Sequence, residues 1–184
     1  MISRENALNL LNDNIQNANM VKHCLASEAV LRAVANKLGA NPEEWGLAGL
    51  LHDIDVEITH LDPMKHGPYA ARMLDGLLSA EAIDAIVMHN EMATGKERTT
   101  VFQHALAAGE TITGLIMAIA MVYPDKKLAS VKTKSITKRM KEKAFAASVK
   151  RENILECELI GIPIQEFAEI ALTAMQGISD ELGL

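Results

Sequence analysis

The chain has 184 residues, 49% of them hydrophobic and only 3% aromatic, and a formal net charge of −6. That length supports one well-buried core and is short for two independent domains, while few aromatics beside abundant Ala, Leu, Ile and Met disfavour a sheet-built core. Two distant cysteines, Cys24 and Cys157, argue against a disulfide framework and against a thiolate metal site.

Taken in order, the chain reads as helix after helix. Met1-Ile2-Ser3-Arg4-Glu5 lacks the apolar core of a signal peptide, and Ser3 caps a first helix carrying Leu8, Leu10, Leu11 and Ile15. A second helix, from about Asn19 to Leu38, sets Met20, Cys24, Leu31, Val34 and Leu38 on one stripe and ends at Gly39. Asn41-Pro42-Glu43-Glu44 opens the third with a capping Asn, a proline at the first helical position and an acid three residues after the cap. It runs through Trp45 and Leu47 to His52-Asp53, and a looser acidic stretch follows from Asp55 to Pro63.

Pro68 leads into a helix with Ala70, Ala71, Met73 and Leu74, and Ser79 caps another that reaches His89-Asn90 before a looser Ala93-Thr94-Gly95. From about Thr100 to Val122 the chain is almost continuously apolar, with His104 and Glu110 its only ionisable groups, as in a central helix buried on most sides. Its greasiest run, Ile112 to Val122, is too short to span a bilayer, so a soluble cytoplasmic protein is expected. Pro124 breaks that helix, the basic segment contains at least one helix from around Ser135 into Leu159, and Pro163 opens a last amphipathic helix. No alternating strand-type run survives, so the expected fold is an all-α helical bundle, a single domain over residues 1–184.

Charge is unevenly spread. Between Pro124 and Arg151 ten basic residues face two acidic ones, a net +8 that leaves −14 on the remainder. Such a stretch suits an anionic partner, either a phosphate-bearing substrate or, less favoured, a nucleic acid.

The chemistry concentrates at Ala48-Gly49-Leu50-Leu51-His52-Asp53-Ile54-Asp55. An apolar helix end carries a histidine and an aspartate inward, where an ionised carboxylate is costly without a counter-charge. No lysine or arginine lies between Lys37 and Lys65, and a divalent metal held by imidazole and carboxylate answers the need. His23, His66, His89 and Glu110 likewise break apolar surroundings, each on a different helix or helix end. Helical bundles build metal sites by converging such points.

His23, then His52-Asp53 twenty-nine residues on, then a carboxylate at Glu110 resemble the H…HD…D pattern of the HD superfamily of metal-dependent phosphohydrolases. His66-Gly67 and His89-Asn90 fall where one subgroup, the HDIG-like predicted hydrolases, carries further histidines, and the likeness covers about residues 20–120. A basic helical extension, about 124–184, would pack on that core. Glu110 stands where the family usually has an aspartate. The resemblance implies one or two divalent ions (Mn, Fe, Co, Zn or Mg) held by His23, His52, Asp53 and Glu110, with Asp53 bridging to a second ion at His66 and His89. Its implied activity is attack of metal-activated water on a phosphomonoester or phosphodiester, with nucleotides the expected substrates. Asp55 and Glu57 are candidate proton acceptors, and Lys65, Lys134, Lys138 and Arg139 are candidate phosphate ligands. Two other classes fit the same residues: a di-iron oxygenase, and a non-catalytic module that is metal-stabilised or binds RNA.

Overall fold

The computed structural model describes residues 1–60 and 62–184, so Leu61 in the acidic stretch lies outside the described residues. Among these residues every regular element is helical, as the composition implies. The helices are α1 (Arg4–Asn14), α2 (Ala18–Leu38), α3 (Pro42–Leu51), α4 (Pro68–Leu74), α5 (Ala80–His89), α6 (Glu91–Thr94), α7 (Val101–Val122), α8 (Thr133–Met140), α9 (Arg151–Leu155), α10 (Ile164–Gln176) and α11 (Ser179–Leu182).

The starts are set by local chemistry. Side-chain oxygens of Ser3, Asn17, Asn41 and Ser79 accept from the first free N–H groups of α1, α2, α3 and α5. Thr100 and Gln103 form a reciprocal capping box at the start of α7. Gly39 ends α2 in the left-handed region at φ 70°.

Three expectations are corrected. Residues 91–94 form a short helix rather than a loose stretch. The helix expected from Ser135 into Leu159 is interrupted, because the Arg151 guanidinium turns back and donates to the carbonyls of Phe145, Ala146 and Val149. That holds the segment between α8 and α9 in a series of turns. Finally, α7 spans 22 residues and by length and composition could cross a membrane, which the shorter Ile112–Val122 run concealed. In the fold, 61% of its most apolar window is buried against the other helices.

The core is built around α2, which lies between α3 and α7. Gly49 of α3 meets the α2 backbone so closely that a Cβ there would lie 2.7 Å from the Ser27 carbonyl oxygen. On the other side, a Cβ on Gly109 of α7 would lie 2.5 Å from Leu31 Cδ2. Leu31, Leu50, Leu51, Leu106, Ile112 and Leu115 fill the space between and are fully buried. Glu28, 2% exposed within α2, is matched by Arg4 at 2.7 Å and Arg32 at 3.0 Å. This three-helix core brings the start of α2, the end of α3 and the middle of α7 to one place.

Candidate metal centre

Five stretches of chain meet there: His23 from α2, His52 and Asp53 just past α3, His66 before α4, His89 at the end of α5 and Glu110 in α7. His23 Nε2 lies 3.1 Å from His52 Nε2, and His66 Nε2 lies 2.9 Å from His89 Nε2. Asp53 sits between the pairs. Its Oδ2 is 3.6 Å from His23 and 3.4 Å from His52, and its Oδ1 is 3.2 Å from His66 and 3.4 Å from His89.

The opposite edge of each ring fixes which nitrogen is free. His52 Nδ1 donates to the Gly49 carbonyl and His89 Nδ1 to that of Ile86. His66 Nδ1 donates to Asp55 Oδ1 at 2.7 Å. Thr113 donates its hydroxyl proton to the Glu110 carbonyl, so its Oγ1 accepts from His23 Nδ1 at 2.9 Å. With all four Nδ1 positions donating, each ring in its neutral form presents a bare Nε2 lone pair to its neighbour and to Asp53. Facing lone pairs need a proton or a cation between them. Two ligands about 2.1 Å from one ion lie about 3.0 Å apart at right angles and about 3.4 Å apart at the tetrahedral angle. The donor spacings match these values. The residues therefore form two groups suited to divalent metal, His23–His52–Asp53 and Asp53–His66–His89, sharing one carboxylate.

Electrostatics agree with that division. Burial pushes His52 down to about 3, leaving it neutral. Burial works against ionisation of Asp53, yet the surrounding imidazoles of His52, His66, His89 and His23 hold its carboxyl well below the usual range. Burial opposes protonation of His66 too, but hydrogen bonds to Asp53 and Asp55 raise it to about 10. Cys24 is buried, and burial together with the charge of Asp53 lifts its thiol well above the ordinary value, so nitrogen and oxygen are the donors on offer.

Glu110 stands at the open side of the first group. Its Oε2 is 3.8 Å from His23 Nε2, its Oε1 accepts from the Thr111 hydroxyl, and burial raises its pKa. It is outside the compact His23–His52–Asp53 set. Above the donors lies a cavity of about 330 Å³ whose rim includes Asn90, Ser148, Val149, Lys150 and Asn153.

Several expected roles are corrected by this geometry. Asp55, expected as a proton acceptor, is fully buried, and both its oxygens accept hydrogen bonds, one from His66 and the other from the N–H groups of Gly67 and Ala70 at 2.9 Å. It orients His66 and does not line the cavity. Glu57 accepts from the N–H groups of Gln16 and Asn17, fastening the start of α2. Lys65 is 67% exposed, pairs with Asp62 at 3.0 Å and does not line the cavity. Lys134 and Lys138 line a different groove, and Arg139 stacks on Phe145 and pairs with Glu142. Among the described residues, Lys150 is the lysine or arginine that lines this cavity.

Sequence reading also missed the residues that hold the site in place. Arg98, 6% exposed, donates to the Met88 carbonyl at 2.9 Å and to Glu156 at 2.7 Å, which fixes the end of α5 beneath His89. Asn90 Nδ2 bonds the carbonyls of Pro63 and His66, tying the two histidine segments together. Thr113 was legible in principle, three residues beyond Glu110 on one helix face; nothing in the basic run singles out Lys150.

The family model for the HD domain matches residues 20–120. No curated protein and no solved structure matches the chain with significance. The matched span is more than half of the chain and contains all six converging side chains. By sequence and by the helical arrangement that brings His23, His52 and Asp53 together, the chain belongs to the HD domain family.

Proposed function

We propose that this protein hydrolyses a small phosphoester, with a nucleotide as the favoured substrate, at a divalent metal centre held by His23, His52, Asp53, His66 and His89. The observation that carries the reading is Asp53, whose two oxygens serve two imidazole pairs from opposite sides. Bound divalent ions there supply activated water and neutralise phosphoryl charge. The chain supplies the rest. Lys150 at the rim attracts the phosphate, and the Asn153 amide, which gives one N–H to the Thr111 hydroxyl, offers its other N–H to orient the ester. Glu110, raised by burial and facing the same cavity, accepts the proton of the attacking water. A cavity of about 330 Å³ admits one phosphoryl group and a body of nucleoside size.

The test is a screen of metal-reconstituted protein against nucleoside monophosphates, cyclic nucleotides and bis(p-nitrophenyl) phosphate, with Asp53→Ala in parallel. Turnover by the native chain and its loss in Asp53→Ala are expected; equal turnover in both removes the hydrolase reading. Glu110→Gln should retain metal and lose about 10²–10⁴-fold in kcat. The two donor groups sharing Asp53 also favour a second reading, a di-iron oxygenase. Iron bound on anaerobic purification, with dioxygen uptake and no phosphate release, would select it.

A further inference from the structure

Away from the metal centre, a groove of about 810 Å³ runs between α8, the turns that follow it and the start of α10. Lys134, Lys138, Lys141 and Lys143 stand along it, against Glu152 as its one acidic residue. Among the described residues, the nearest carboxylate partner of these lysines is Glu142, 4.0 Å from Lys138, and it also pairs with Arg139. Arg151 lines the groove from below and is 6% exposed. Its guanidinium bonds only to main-chain carbonyls, no carboxylate among the described residues lies within 4 Å, and its buried Nε–H meets no acceptor. A buried cation without a counter-charge is expensive.

The floor has a different character. Met140, Leu155 and Ile164 line it, and Leu155 is 43% exposed. No lining residue is aromatic, so nothing there stacks a nucleobase as single-strand RNA sites do. At one end Ile164 and Gln165 begin α10, a 13-residue helix with no side-chain cap, whose dipole adds positive potential at that wall.

We propose that this groove binds a small amphiphilic anion, a phosphate or carboxylate head on an aliphatic chain. The head lies among the lysines and the chain lies along Met140, Leu155 and Ile164. The charge imbalance requires the head, and the aliphatic, non-aromatic floor selects the tail. This site is separate from the metal centre and does not depend on the hydrolase reading.

Decyl phosphate, kept below its micelle concentration, is the probe, titrated calorimetrically into the full chain. Binding at one site is expected, unchanged when metal is removed by chelator. Affinity should fall at least tenfold in Lys138→Glu/Lys141→Glu and, separately, in Leu155→Asn, both at solvent-exposed positions whose melting by circular dichroism reports that the fold is kept. Inorganic phosphate and decanol should each bind at least tenfold more weakly than decyl phosphate. No binding, binding indifferent to both variants, or loss on chelation would each overturn the proposal. So would inorganic phosphate binding as tightly as the amphiphile, or retention of the protein only on vesicles rich in phosphatidic acid.

Discussion

His66 differs from the other three imidazoles at the centre because it stands between two carboxylates, Asp53 at 3.2 Å and Asp55 at 2.7 Å. In the metal-free chain those acids raise it to about 10, against the opposition of burial, so at neutral pH it carries the extra proton. His52, pushed down to about 3, carries none. The sign follows from the direction of the shift. The stabilisation His66 gains from its proton is complete below its ordinary value of 6.5 and is lost as pH rises towards 10. A divalent ion needs the Nε2 lone pair and must displace that proton. Ion affinity should therefore rise with pH through this window, approaching tenfold per unit, with close to one proton released per ion at pH 8. Calorimetry in buffers of different ionisation enthalpy measures the release directly. A value of zero at pH 8 would mean that the ion bypasses His66.

At the scale of elements, the site depends on how closely α3 approaches α2. A methyl at Gly49 would meet the backbone of Ser27 at 2.7 Å, and backbone does not yield as a flexible side chain does. Gly49→Ala should thus cost about 1–3 kcal/mol from overpacking and weaken metal binding, since the Gly49 carbonyl also receives His52 Nδ1. Gly114→Ala on α7 is the matched control. Its Cβ would touch Val149 Cγ2 at an ordinary 3.5 Å, and the helix interior gains up to about 1 kcal/mol from alanine. Urea midpoints for the two variants should move in opposite directions. The same contrast explains what the sequence disclosed. Helix starts at Asn41-Pro42 and Ser79 were readable because a cap and its acceptors lie within three residues. The all-α fold followed from composition and stripe spacing, and His23, His52, Asp53, His66 and His89 stood out as polar groups on apolar helices. The break between α8 and α9 was hidden, because it depends on Arg151 reaching back to carbonyls of residues 145, 146 and 149. The work of Asp55 and Glu57 was equally hidden: one supports His66 eleven residues on, the other fastens the chain about forty residues back. Local patterns report local partners, and those partners are distant.

For the molecule as a whole, the candidate centre is where five separate stretches of one chain are joined, so metal should act as a cross-link as well as a reagent. The segment between Asp53 and His89 is fastened by Asp55 to the start of α4 and by Asn90 to the Pro63 and His66 carbonyls, and His66 and His89 meet the rest of the centre through Asp53. An ion that binds only the folded chain stabilises it by about 2.7 kcal/mol at a hundred times its dissociation constant. For a chain of this length, each kcal/mol moves the midpoint of unfolding by about 2–4 °C. Saturation with a tightly held divalent ion should therefore raise Tm by about 5–10 °C over the chelated protein. Asp53→Asn removes one charge while keeping the shape of the side chain, and with the shared carboxylate gone most of that rise should vanish although the chelated variant still unfolds cooperatively. Differential scanning calorimetry with and without chelator, on both proteins, measures the four midpoints. If the native Tm does not respond to the ion, no cation joins these five stretches, and the convergence of His23, His52, Asp53, His66, His89 and Glu110 would require another cause.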